Sequence, residues 1–324
     1  MNMCVGDILI ITGNSNTTLV DNICKNLGIE KVDCEVKTFS DGEISIDIGE
    51  TVRGKDVFLI QSTSSPVNNN LMECLILLDA LKRASAGRIN AVIPYYGYAR
   101  QDRKTRAREP ITAKLVADLL TVAGADRVLT MDLHAGQIQG YFNIPVDHLT
   151  AVPYLAKYFK EIVNNPKEGK KRDFVVVSPD LGGVTRTRNF ANELNLPIAI
   201  IEKRRPKANV SEVMNIIGDI EGKNCILIDD IVDTAGTICQ AAKALVDHGA
   251  EEVYGCATHG VLSGPAIDRI EKSVMEKFII TDTIDTEKKL IGSKIEVVSV
   301  APLFANAIKR INANTSVSEM FDKR

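Results

Sequence analysis

The chemistry written most sharply in this chain of 324 residues lies between Ile226 and Ile238, in the run Ile-Leu-Ile-Asp-Asp-Ile-Val-Asp-Thr-Ala-Gly-Thr-Ile. An apolar stretch ends in two acids, Asp229 and Asp230; Asp233, Thr234, Ala235, Gly236 and Thr237 follow, and then a helical pattern. Strand, short loop and helix start in that order form an anion site. N–H groups at the helix start favour a phosphate, Gly236 permits close approach of the backbone, and Thr234 and Thr237 bring hydroxyl donors. Two carboxylates at the carboxyl end of the strand would stand beside that phosphate, where the vicinal hydroxyls of a sugar can be bound. Phosphate and polyol together point to a phosphorylated pentose. The plainer alternative is a helix N-cap by Asp233 or Thr234, yet a cap requires neither the acid pair nor the glycine.

Four other segments carry charge at expected strand ends. Pro94 to Pro110 holds Arg100, Arg103, Lys104, Arg106 and Arg108, which suits a polyphosphate. Tyr95, Tyr96 and Tyr98 alongside also admit RNA binding by stacking, and a solvated loop is the bland alternative. Met131 to Phe142 places Asp132 and His134 where they could help to hold a divalent ion, although a lone histidine is more often structural. Ser178 to Asn189 repeats the arrangement with Asp180 and Gly182-Gly183, either a diphosphate wrap or a tight turn capped by Asp180. Ile200 to Val210 runs from a strand into Lys203, Arg204, Arg205 and Pro206 and reads as a mobile basic flap or as a surface turn. In phosphoryl transfer an arginine supplied at the transition state is worth roughly 10³ to 10⁵ in rate. No Walker A sequence and no GxGxxG after a strand occurs, so ATP would bind without a P-loop and a dinucleotide cofactor is disfavoured.

Elements that position such loops are visible as apolar runs alternating with helical periods, the pattern of a parallel sheet covered by helices. The fold class is α/β. Strands are expected at Ile8 to Thr12, Val57 to Gln61, Ile89 to Pro94, Arg127 to Met131, Phe174 to Ser178, Ile198 to Glu202, Cys225 to Ile228 and Val253 to Thr258. Helical patterns run through Leu71 to Arg83, Thr112 to Ala123, Ala151 to Val163 and Thr237 to Asp247. The length suits two domains, and both halves show a strand, polar loop, helix, small-residue turn and strand. A net charge of -3 gives no field to gather nucleic acid, and neither a signal peptide nor a membrane span is expected. Seven scattered cysteines without a CxxC pair read as reduced thiols of a cytoplasmic protein.

Taken in order, FSDGE (Phe39 to Glu43), YGYARQDRK, AREPITAKL, MDLHAGQIQGYF, VSPDLGG, KRRP and DDIVDTAGT resemble ribose-phosphate pyrophosphokinases of the phosphate-activated bacterial type over essentially the whole chain. The resemblance implies two similar domains of type I phosphoribosyltransferase kind, each a mainly parallel sheet flanked by helices. An N-terminal ATP-site and oligomerisation domain would span 1–148 and 307–324, and a ribose 5-phosphate domain 149–306. It implies an ATP site of Arg100, Gln101 and His134, completed by Phe39, Asp41 and Glu43 of a neighbouring subunit, hence a homo-oligomer, commonly a hexamer. Similarity further places Mg²⁺ at His134 and Asp180, ribose hydroxyls at Asp229 and Asp230, the 5-phosphate on Asp233 to Thr237, and catalytic basic residues at Lys203 and Arg205. The tail Thr315 to Phe321 resembles the family's part in a site for activating inorganic phosphate and for ADP. The implied reaction moves the β,γ-diphosphate of ATP to C1 of ribose 5-phosphate for nucleotide biosynthesis; whether Asp229 or Asp230 assists deprotonation stays open. Departures at Gly49 and Leu181 touch no implied ligand. A phosphoribosyltransferase would share DDIVDTAGT without needing FSDGE or ARQDRK, and a noncatalytic homologue would have lost His134, Asp180, Lys203 or Arg205.

Overall fold

In a computed structural model, the structure describes residues 6–165, 172–204, 213–286, 290 and 292–321. The chain divides into two compact units, the first made of 1–149, 283–285 and 299–324 and the second of 150–282 and 286–298.

The first unit opens with β1 (Ile8–Thr12) and α1 (Thr17–Leu27), capped at its start by the Asn16 side chain, which accepts from Leu19 N–H, and ended by Gly28 at φ 72°. An antiparallel hairpin follows, β2 (Cys34–Thr38) and β3 (Ile44–Ile48), forming its own two-stranded sheet. Then come β4 (Asp56–Ile60), α2 (Val67–Arg83), β5 (Arg88–Ile93), α3 (Thr112–Ala123), β6 (Arg127–Met131) and β7 (Val146–Leu149). The five strands β1-β4-β5-β6-β7 pair in that order, all parallel. Every residue of β4 is buried, as expected of a central parallel strand covered on both faces. Successive residues alternate between those faces: Val57 and Leu59 share a core with Leu77 and Leu81 of α2 and Val116 and Leu120 of α3.

The second unit holds α4 (Val152–Asn164), β8 (Phe174–Ser178), α5 (Val184–Leu194), β9 (Ile198–Arg204), β10 (Val213–Ile217), β11 (Asn224–Val232), α6 (Gly236–Asp247), β12 (Val253–Gly260), α7 (Ala266–Glu271), β13 (Met275–Thr281) and β14 (Ile295–Val298). Seven strands pair in the order β10-β9-β8-β11-β12-β13-β14; β10 is antiparallel to β9 and the rest run parallel. On one face Val175, Val177, Cys225 and Leu227 pack with Ile238, Ala241 and Leu245 of α6 and Ile270 of α7. Phe159 of α4 meets Phe190 of α5 edge to face at 5.8 Å.

The first unit takes the chain up again at Ser299, and its α8 (Ala301–Asn312) packs on α1. The helix is pinned by a buried ion pair. Asp56, with a fully buried side chain, accepts from Arg88 at 2.6 and 2.7 Å, from Asn90 at 2.9 Å and from Asn312 of α8 at 2.8 Å. Removing one partner of such a pair is far more costly than forming it is favourable, so the network fixes where α8 docks. No helix among the described residues is long and apolar enough to cross a membrane.

Candidate active site

The expected sugar-phosphate loop joins β11 to α6. The strand runs further than the apolar pattern implied, to Val232, because Asp229 still pairs with Ala257 and Ile231 with His259 of β12. The two acids therefore sit within the last residues of the strand, where Asp229 is half-buried and Asp230 buried. Arg186 of α5 reaches both, at 3.4 Å from Asp229 Oδ1 and 3.3 Å from Asp230 Oδ1, and Asp230 N–H donates to Asp229 Oδ1 at 2.9 Å. Burial, then the adjacent Asp230, push the Asp229 carboxyl well above the ordinary carboxylate range, against the pull of Arg186.

Beyond the acids, Ala235 and not Gly236 takes the left-handed conformation, at φ 59°. Ala235 is the N-cap of α6 and has no side chain with which to cap it, so the capping alternative for this loop does not hold at that position. Thr234 and Thr237 are exposed and Asp233 is half-buried. Helix α6 is 12 residues long, and no side-chain hydrogen bond is made by its N-cap, a start of the kind at which backbone N–H groups can meet an anion.

Asp180 follows β8 and is exposed. Its Oδ1 accepts from Gly183 N–H at 2.9 Å, so one glycine amide of the expected diphosphate wrap is engaged by the acid itself. A hard divalent ion takes one or two carboxylates and completes its shell with water and substrate oxygens, and an exposed carboxylate at a strand end fits that demand. Among the described residues, no three His, Cys, Asp or Glu side chains gather in a cage of their own.

In the first unit, the segments after β5 and β6 are tied together by Asp102, which is buried. Gln137 donates to its carboxylate at 2.7 Å and the Tyr141 hydroxyl donates to its carbonyl. Arg100 and Gln101 lie exposed on this platform, Gln101 accepting from the Thr112 hydroxyl, and the four further cations up to Arg108 are exposed as well. Glu109 closes the turn below them by accepting from Thr105 Oγ1, Arg106 N–H and Thr105 N–H, bonds that hold its carboxyl below the usual value. Tyr95 and Tyr96 are buried at 6% and 2% exposure, Tyr96 packing edge to face on Phe142, so neither offers a ring face for stacking, while Tyr98 is half-buried and its hydroxyl donates to Asn68. His134 is exposed just after β6, in a loop where Asp132 adopts φ 36°. His148 of β7 holds that loop: Leu133 N–H donates to its Nε2 at 2.9 Å, and burial keeps the imidazole pKa below its usual 6.5, in the neutral form that can accept.

Phe39, Asp41 and Glu43 form the tip of the β2–β3 hairpin. Phe39 is 57% exposed, Phe39 N–H donates to Glu43 O at 2.7 Å, and Glu43 N–H donates to Asp41 Oδ1 at 3.1 Å. An exposed phenyl on a stiff tip offers a flat apolar face. Lys203 is the penultimate residue of β9, opposite Met214 of β10, whereas Arg205 lies outside the described residues. Lys203 therefore stands on an antiparallel edge hairpin. Sequence reasoning did not single out Arg186 or His148. Arg186 lies in a Thr-Arg-Thr-Arg run with nothing to distinguish it from Arg188, and His148 is one polar residue in a short strand.

Two family profiles match the chain: one described as the N-terminal domain of ribose phosphate pyrophosphokinase, over residues 8–124, and one described as the phosphoribosyl synthetase-associated domain, over residues 205–322. The ribose-phosphate pyrophosphokinase of Caldanaerobacter subterraneus subsp. tengcongensis is 66% identical over 314 residues, 96% of this chain and 97% of that protein. That of Clostridium tetani is 64% identical over 97% of each. The crystal structure of phosphoribosylpyrophosphate synthetase from Mycobacterium smegmatis is similar with a TM-score of 0.88 at 44% identity, covering 95% of this chain and 99% of that one.

Proposed function

The chain belongs to the ribose-phosphate pyrophosphokinase family, and from that premise we propose how its loops serve the family's reaction, the transfer of diphosphate from ATP to the C1 hydroxyl of ribose 5-phosphate. The cradle at the start of α6 takes the 5-phosphate on the backbone of Asp233 to Thr237, and Asp229 and Asp230 take the ribose hydroxyls. The observation that carries this assignment is the conjunction of the left-handed Ala235 cap with the Arg186-bridged acid pair just before it. ATP belongs to the cationic platform of Arg100 and Gln101 with His134, and Phe39, Asp41 and Glu43 of a neighbouring subunit complete it, the phenyl against adenine. A homo-oligomer, a hexamer in this reading, is then part of the active site.

In the reaction the C1 hydroxyl oxygen attacks the β-phosphorus of ATP, the bond from that phosphorus to the α,β-bridging oxygen breaks, and AMP departs with that oxygen. The hydroxyl proton passes to solvent or to the acid pair. Asp180 and His134 are each candidate ligands for Mg²⁺, which when bound would supply charge neutralisation on the phosphate oxygens. Lys203 and Arg205 add fixed positive charge where negative charge grows on the transferring group and on the leaving AMP. Inorganic phosphate as activator and a cytoplasmic location complete the proposal.

A ³¹P NMR time course with ATP, ribose 5-phosphate, Mg²⁺ and inorganic phosphate tests it. AMP and a C1 diphosphate signal should rise together; AMP with free diphosphate and no C1 signal would refute the assignment of the acceptor site.

A further inference from the structure

The carbonyls of Val232, Asp233 and Thr234 are tied toward residues 261–263 and α7. Val232 O accepts from Val261 N–H at 3.0 Å and Leu262 N–H at 3.1 Å, and Asp233 O accepts from Ser263 N–H at 3.0 Å. Thr234 O accepts from the Arg269 guanidinium at 2.9 Å, and Ala235 O turns into α6 to accept from Cys239 N–H at 3.1 Å. A trans peptide is planar, and its N–H points opposite to its C=O. Drawing the carbonyls of residues 232 to 234 toward the strap 261–263 and α7 therefore turns the N–H groups of residues 233 to 235 the other way, away from the strap and α7.

The ties at Val232 and Asp233 come from backbone, and the tie at Thr234 comes from a side chain. The backbone around Arg269 is firmly seated, since its own N–H donates to Pro265 O at 2.9 Å and Ala266 and Ile270 of the same helix are fully buried. The strap itself carries backbone strain. Leu262 is buried with φ 49°, a conformation a branched side chain tolerates only where the surroundings impose it. The guanidinium also lies 3.5 Å from where a β-carbon on Gly236 would stand, so its charge sits beside the first residue of α6.

We propose that Arg269 is the positioning residue of the 5-phosphate cradle: it holds the Thr234 carbonyl so that the Ala235 N–H faces the phosphate, and it fixes a positive charge beside that site. The inference rests on the assignment of the loop to the 5-phosphate and adds a group on a different element that decides the affinity. Because Arg269 acts on a part of the sugar remote from C1, its contribution belongs to ground-state and transition-state binding alike, and it should appear in KM and not in kcat.

The test is calorimetric titration of ribose 5-phosphate with Mg²⁺ into the full chain, together with steady-state kinetics, for Arg269→Gln, Arg269→Lys and, as a control on the loop itself, Thr237→Ala. Arg269 is exposed, so neither substitution empties a core. Arg269→Gln should weaken binding by about tenfold, the scale of one charge-assisted hydrogen bond, with KM raised alike and kcat kept. Arg269→Lys, which retains charge and donor, should recover most of the loss. Wild-type affinity in Arg269→Gln while Thr237→Ala binds weakly would overturn the role of Arg269. Wild-type affinity in both would overturn the loop assignment, and the inference with it. A fall in kcat at unchanged KM would also overturn it.

Discussion

Lys203→Ala should lower turnover by about a hundredfold or more and leave ribose 5-phosphate affinity within about twofold, since a cation that meets charge formed in the transition state contributes little to the ground state. Initial rates with calorimetry check this; near-normal turnover would remove the basic hairpin from the mechanism. Asp229 makes a prediction of a different kind. Burial and Asp230 raise its carboxyl from the ordinary 3.8 to about 8, so the folded chain holds this proton more tightly than the unfolded one. That contribution to stability is fully present below about 4 and is lost as pH rises through about 8. Without substrates, Asp229→Asn should melt with the wild type at pH near 3.5 and above it at pH near 8.5. Parallel melting temperatures across that range would show that the carboxyl titrates normally.

Among the elements, β12 and β13 meet at Gly255, which is paired with Phe278. A β-carbon there would stand 2.5 Å from Phe278 Cδ2, inside a fully buried ring, so Gly255→Ala should destabilise the second unit by about 1–3 kcal/mol in urea unfolding. An unchanged midpoint would mean that the ring has room to move. The same strand explains what could be read from sequence. Val253 to Thr258 is apolar enough to announce a buried strand, as are Asp56–Ile60 and Phe174–Ser178, because strands covered on both faces have no polar side to break the run. The β2–β3 hairpin and β7 are short and only partly buried, and β10, β13 and β14 are short or interrupted by charge, so composition did not mark them. Of the candidate site, the strand-loop-helix segment and its acid pair were legible because an apolar run ending in two aspartates before threonine and glycine marks a strand end and a helix start. Arg186, His148 and Arg269 were not, since each acts from another element and only the fold brings it near.

For the whole molecule, the proposed completion of the ATP site by a neighbouring subunit predicts complementation. Phe39→Ala and Lys203→Ala proteins, each poorly active, should regain turnover when dissociated, mixed and reassembled, because a site with intact Lys203 can then receive an intact Phe39 from the other chain. No recovery in a demonstrated mixed oligomer would place Phe39 in its own subunit's site. The route of the chain has another outcome, which concerns the ribosome. Domains emerging from synthesis ordinarily fold in the order they are made. Here the first unit cannot bury Phe304, Ile308 and Ile311, or give Asp56 its Asn312 partner, until α8 has been translated, by which time β14 has already completed the second unit's sheet. The half made first is finished last, and the face of α1 that α8 covers stays without that partner until α8 has been made, a surface that a premature stop would leave exposed.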